Sequence, residues 1–224
     1  MTTTIRDLLL GRLIHLQQLR GYYWDASTGV YRSKWNKQEV KASTVRRRID
    51  NYNRAYVQRN TDGLTEALIN DKIKLPDWQR SMAQELKDSW RVNLMIGRGG
   101  YEATGFDDYG RMGGRLRWQY HFLNGFAQEI EAGNLTDAQI RARATMYAQA
   151  STTAYQDGLH AAKRAAGMTE ENWVMTPAEH CEDCIAYDGM GWQRLGTFPT
   201  PGDGHTRCLM NCKCYKEYGD GTGS

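Results

Sequence analysis

Between residues 75 and 167, apolar side chains recur every third or fourth position, and glycines stand mainly at the joints. "LPDWQRSMAQELKDSWRVNLMIG" sets Trp78, Met82, Leu86, Trp90 and Leu94 at i, i+4 spacing, which lines one helix face with large side chains. Pro76 suits the first turn, where its missing N–H costs nothing, and Gly97, Gly99 and Gly100 end the run. A second helix is expected from about 107 to 132, with Met112, Leu116, Tyr120, Leu123, Phe126 and Ile130 as its stripe and Gly133 as its C-terminal cap. "TDAQ" at 136–139 is a capping box. It opens a third helix, near 137–166 and the longest of all, whose face carries Ile140, Ala144, Tyr147, Ser151, Tyr155 and Leu159. The small residues on that face let a partner helix come close. Long amphipathic helices on short connections favour an antiparallel helical bundle, so the chain is read as mostly α.

The chain divides at the edges of this region. Residues 1–74 form a basic N-terminal region. A helix is expected over 3–20 from Ile5, Leu8, Leu9, Leu13 and Leu16, then a hairpin in "YYWDASTGVYRSKW" (22–35) around the turn residues Asp25, Ser27 and Gly29. A further helix from about Ser43 has Val45, Ile49, Tyr52 and Tyr56 on one face and is expected to break at Asn60, Asp62 and Gly63. Residues 1–60 hold 12 Lys/Arg and 4 Asp/Glu, a balance of +8 inside a chain whose net charge is +3. That asymmetry points to phosphate or to an acidic partner surface. Arg46, Arg47 and Arg48 are the candidate nucleic-acid contacts, with Tyr52 and Tyr56 placed for packing or stacking. The alternative is a solvated helix face.

After Gly167 the helical period stops. "NWVMTP" is strand-like, and 168–218 is expected to be a small separate module without helical period, followed by a flexible tail at 219–224. All five cysteines lie in this module, as C-x2-C (Cys181, Cys184) and C-x3-C-x-C (Cys208, Cys212, Cys214), 23 residues apart. So short an aperiodic segment buries little apolar surface and needs a staple. The start of the chain does not read as a secretory signal, and no run is apolar enough to span a membrane. Folding is therefore expected in a reducing cytosol, which favours metal over disulfides. One structural Zn2+ is the expected cofactor, with disulfides and buried free thiols as the alternatives. Cys181, Cys184 and Cys208 are the expected ligands, Cys212 is preferred to Cys214 as the fourth, and His180 and His205 stand in reserve.

Catalytic patterns are missing. A zinc deaminase carries H-x-E upstream and Pro directly before C-x2-C, whereas Pro177 lies four residues before Cys181 and no H-x-E occurs. "GRGG" (97–100) lacks the Lys-Ser/Thr of a phosphate-binding loop. A thiol nucleophile needs an oriented base, and His180 beside Cys181 is only a sequence neighbour. No enzymatic activity and no small-molecule substrate are expected. The rival readings are a zinc-stapled nuclease and a cellular zinc adaptor.

"WVMTPAEHCEDC", then "GW", then "PTPGDGHTRCLMNCKC" resembles the C-terminal signature of phage head morphogenesis proteins, the Mu F-like minor capsid family. Cys181 and Cys184 match its start, and Asn211, Cys212, Lys213 and Cys214 match its end, with Lys for the usual Arg. The His-Pro that normally precedes the asparagine is absent, and Cys208 stands nearby in the histidine's place. The helical stretch from Leu75 to Gly167 is also similar to the helical part of such proteins. The resemblance implies a low-copy structural protein of the virion head, assembled in the host cytoplasm. Its implied partners are the portal protein, the major capsid protein and phage DNA during packaging or delivery, with no membrane involved.

Overall fold

The computed structural model describes residues 21–222; the expected helix over 3–20 lies outside the described residues. The protein is mostly helical with two small sheets. The hairpin forms as β1 (Tyr22–Asp25) and β2 (Val30–Ser33), paired antiparallel and extended by β3 (Glu39–Val40). Asp25 holds the turn by accepting from the Ser27 amide, the Ser27 hydroxyl and Arg32 Nε, which keeps its carboxyl well below the usual carboxylate range.

Helix α1 (Ala42–Tyr52) runs into a π-helical segment (Asn53–Gln58) and then into α2 (Arg59–Ile69). The expected break at Asn60–Gly63 does not occur. A glycine inside a helix costs about 1 kcal/mol. Against this, α2 buries Thr61 and Thr65 and packs Leu64, Leu68 and Ile69 onto the central core. The π segment turns Asn53 inward, where its amide exchanges hydrogen bonds with Asn93 at 3.1 and 2.9 Å. A wide turn of this kind commonly re-aims a side chain within a continuous helix.

Three long helices follow: α3 (Leu75–Arg98), α4 (Phe106–Glu131) and α5 (Asp137–Ala165). Gly99, at φ 107°, closes α3. The capping box opens α5, with the Gln139 amide donating to Thr136 Oγ1 and the Thr136 amide donating to Gln139 Oε1. Trp78 near the start of α3 meets Phe126 near the end of α4, and Arg98 at the end of α3 meets Asp108 at the start of α4. The most extensive helix interface is α3 against α5. There Gly97 lies against the backbone of Tyr155 and Leu159, and Gly158 against that of Leu94 and Arg98. A methyl group at either position would strike backbone, so the two glycines set the helix separation. Trp78, Met82, Leu86, Trp90 and Leu94 all lie in the central core. A second core joins the hairpin to α1 and the end of α5 through Trp24, Tyr31, Ile49 and Tyr155.

The C-terminal module is a second sheet in the order β5-β4-β6, from β4 (Glu170–Val174), β5 (Gln193–Arg194) and β6 (Tyr215–Gly219). It also contains a helix, α6 (Glu182–Gly189), which corrects the expectation of no helical element there. The C-x2-C pair supplies the reason: Cys181 is the N-cap residue and Cys184 lies in the first turn, so the ligand spacing is itself a helix start. A small core of its own gathers Trp173, Cys184, Phe198 and Cys214.

Candidate metal centre

Two loops and one helix start bring the thiols together. Cys184 is fully buried at the middle of the group, with Cys181 Sγ 3.5 Å, Cys208 Sγ 3.6 Å and Cys212 Sγ 3.7 Å from its own sulfur. Sulfurs sharing a tetrahedral ion stand about 3.8 Å apart for metal–sulfur bonds of about 2.3 Å, whereas a disulfide brings them to about 2.05 Å. All five cysteines are free thiols. The geometry is that of a site able to hold a metal ion, and the donor set suits a thiophilic one.

The surroundings hold the cluster in place. Cys208 precedes a 3-10 turn (Leu209–Asn211), and Thr206 Oγ1 sits 3.2 Å from its sulfur. The Arg207 amide donates to Asp183 Oδ2, and its guanidinium pairs with Glu182, so the second cysteine loop is pinned to the start of α6. Burial raises the Cys181 thiol, but bonds from the Cys184 and Cys208 amides and sulfurs prevail and bring it down to about 7. A bond from Cys214 brings Cys212 down to about 6, and burial pushes Cys184 and Cys208 up. Some thiols thus ionise readily and share protons with others that do not. Metal binding would displace those protons, because the ligand is the thiolate.

Of the two reserve histidines, one joins the cluster. His180 Nδ1 lies 3.4 Å from Cys214 Sγ, while Nε2 lies 2.6 Å from the Thr176 carbonyl. A carbonyl oxygen only accepts, so Nε2 carries a proton, and in the neutral ring Nδ1 turns its lone pair toward the sulfurs. This is the arrangement of a metal-ligating imidazole oriented by a backbone partner. His205 is exposed, pairs with Asp203 Oδ1 at 3.0 Å and stands apart from the cluster.

The arginine triplet does not form one face. Successive residues on a helix turn by about 100°, and the three side chains diverge accordingly. Arg46 lies 3.6 Å from the centre of the Tyr215 ring and Arg48 5.2 Å from that of Tyr22, leaving Arg47 exposed. Tyr52 is buried and stacked on Tyr56.

Sequence reading missed the support beneath the cluster. Glu171, wholly buried on β4, accepts from Lys216 Nζ at 3.0 Å and from the Phe198 amide at 2.7 Å. The adjacent charges in "EENWV" and "YKEYG" look like an exposed strand pair, so only the three-dimensional pairing of β4 with β6 reveals them. Contacts with α5 and α4 seat the module: Thr153 Oγ1 donates to the Gly202 carbonyl and Thr200 Oγ1 to Asp157, while Arg115 of α4 pairs with Asp157 at 2.7 Å and reaches Asp203 of the module at 4.0 Å.

Among the described residues no helix is long and apolar enough to cross a membrane. Compared with known proteins, the chain matches no family model, no curated protein and no solved structure.

Proposed function

We propose that this chain is a minor head protein of a tailed phage, acting in head morphogenesis, whose C-terminal module is folded around structural zinc. The observation that carries the reading is the cysteine cluster. The residues that resemble the Mu F-like signature, Cys181, Cys184, Cys212 and Cys214, converge with Cys208 and His180 in the core of one small module. Four thiolates, or three with an imidazole, complete a closed site of the kind zinc occupies structurally, with no position left for substrate. In this reading α3, α4 and α5 act as an antiparallel bundle that carries the module, and the protein is not an enzyme.

The partner face on this reading is α4. Phe106, Trp118 and Phe122 are exposed there, and the rings of Trp118, His121 and Phe122 touch one another. An exposed apolar cluster marks an interaction surface, which a portal or major capsid protein would cover. Phage DNA is the further partner, reached through the basic N-terminal region. The test is mass spectrometry of purified virions. The protein should be present at low copy relative to the major capsid protein, and Trp118→Ser with Phe122→Ser should remove it from particles without lowering its own stability. Its absence from virions would overturn the reading and favour a cellular zinc adaptor. DNA cleavage dependent on an added divalent metal would favour the nuclease.

A further inference from the structure

We infer that the C-terminal module holds two tetrahedral metal ions, with Cys184 and Cys212 as bridging thiolates. The inference rests on the metal reading above and deepens it.

A single tetrahedral ion needs four donor atoms that are all mutual neighbours. Among the described residues the donors gather differently. They fall into two groups of three, His180 with Cys184 and Cys214, and Cys181 with Cys184 and Cys208, each group mutually within 4.8 Å. Cys184 alone belongs to both. Cys212 stands in neither group and lies 3.7 Å from the shared sulfur of Cys184. Two four-coordinate ions need eight bonds. Six donors supply eight when two of them bridge: Cys184, which both groups share, and Cys212, the one donor left to complete each group of three. One ion would then take Cys181, Cys208 and the bridges, and the other His180, Cys214 and the bridges.

This arrangement accounts for what one ion leaves over. A single site of four thiolates strands one thiol and leaves the lone pair of His180 with nothing to ligate, and a site of three thiolates with His180 strands two thiols. The charge also favours it: five thiolates and a neutral imidazole around two dications carry one net negative charge, against two for a single ion with four thiolates. Lower residual charge is cheaper to bury.

The experiment measures zinc per chain in full-length protein purified without chelator, by elemental analysis and by native mass spectrometry. About two ions per wild-type chain are expected, with His180→Ala and Cys214→Ser each halving the content. Cadmium-substituted wild type gives a readout free of any folding defect in the variants, since two ions produce two cadmium NMR signals. One ion per chain overturns the inference and leaves the single-zinc reading standing, and two ions per chain unchanged by His180→Ala overturn the assigned ligand set. No bound metal overturns both.

Discussion

Glu171 takes a full carboxylate to the middle of the small sheet, where Lys216 is buried with it as its ion-pair partner. Burial raises the Glu171 pKa, but His160, Lys216 and the Phe198 amide outweigh burial and lower it. Lys216 also reaches the Phe198 carbonyl at 3.4 Å. Removing one partner strands the other charge, which costs about 3–5 kcal/mol. Lys216→Met should therefore lower the urea midpoint strongly, and adding Glu171→Gln should recover part of the loss; additive losses would show the pair to be uncoupled. Lys163 makes the opposite case. It lies 4.0 Å from the centre of the Trp24 ring, and burial pushes its pKa down to about 8. A folded-state pKa below the unfolded one means that the unfolded chain binds more protons between about 8 and the ordinary lysine value of 10.5. Stability from this residue should rise with pH through that window. Lys163→Met removes the term, so the wild type should gain on the variant from pH 8 to 10. Parallel melting temperatures across that range would contradict it.

The glycines at the crossing of α3 and α5 act on whole elements. Gly97→Ala sets a methyl group against the Tyr155 carbonyl, and Gly158→Ala sets one against the Leu94 carbonyl, so the helices must move apart. Each should cost roughly 3 kcal/mol, the upper range for overpacking, although alanine is the better helix former. Gly113→Ala on α4, where nothing lies within 4 Å of the added carbon, should instead be neutral or stabilising; chemical denaturation of the three variants checks the contrast. The long helices were legible because their signals are local: Pro76 and Gly99 bound α3, Thr136 and Gln139 open α5, and the stripe from Trp78 to Leu94 runs unbroken. Asn60, Asp62 and Gly63 misled for the same reason, because they are turn residues locally and only packing against α3 and α5 makes that stretch helical. At the metal centre, spacing identified the thiols as one group. It could not single out His180 over His205, since their difference lies in the Thr176 carbonyl behind one ring and Asp203 beside the other.

At the scale of the molecule, the module and the helices are held together by Asp157, Arg115, Thr153 and Arg46, while the module's own core gathers its sulfurs with Trp173 and Phe198. A strong chelator should therefore release hydrogen-exchange protection over 182–214 while the amides of α3 and the first half of α5 keep theirs; uniform loss, or none, would refute this division. In the DNA binding proposed above, Arg47→Gln should flatten the salt dependence by about 0.9 in log–log slope, the share of one phosphate contact. Arg46→Gln should instead act on stability, because its guanidinium covers Tyr215. The crossing of α3 with α5 has a further consequence, for synthesis. When α3 leaves the ribosome, the surface that will cover Gly97 and Trp90 has not yet been made, and it is not complete until Gly158 has emerged. The hairpin made before it also waits, since Trp24 packs with Tyr155 and Leu159 in the second core. The hairpin and α3 thus wait for partners made much later in the chain. The chain acquires its core in a late, concerted step governed by contacts of long sequence separation, and until then its aromatic stripes are open to chaperones or to aggregation.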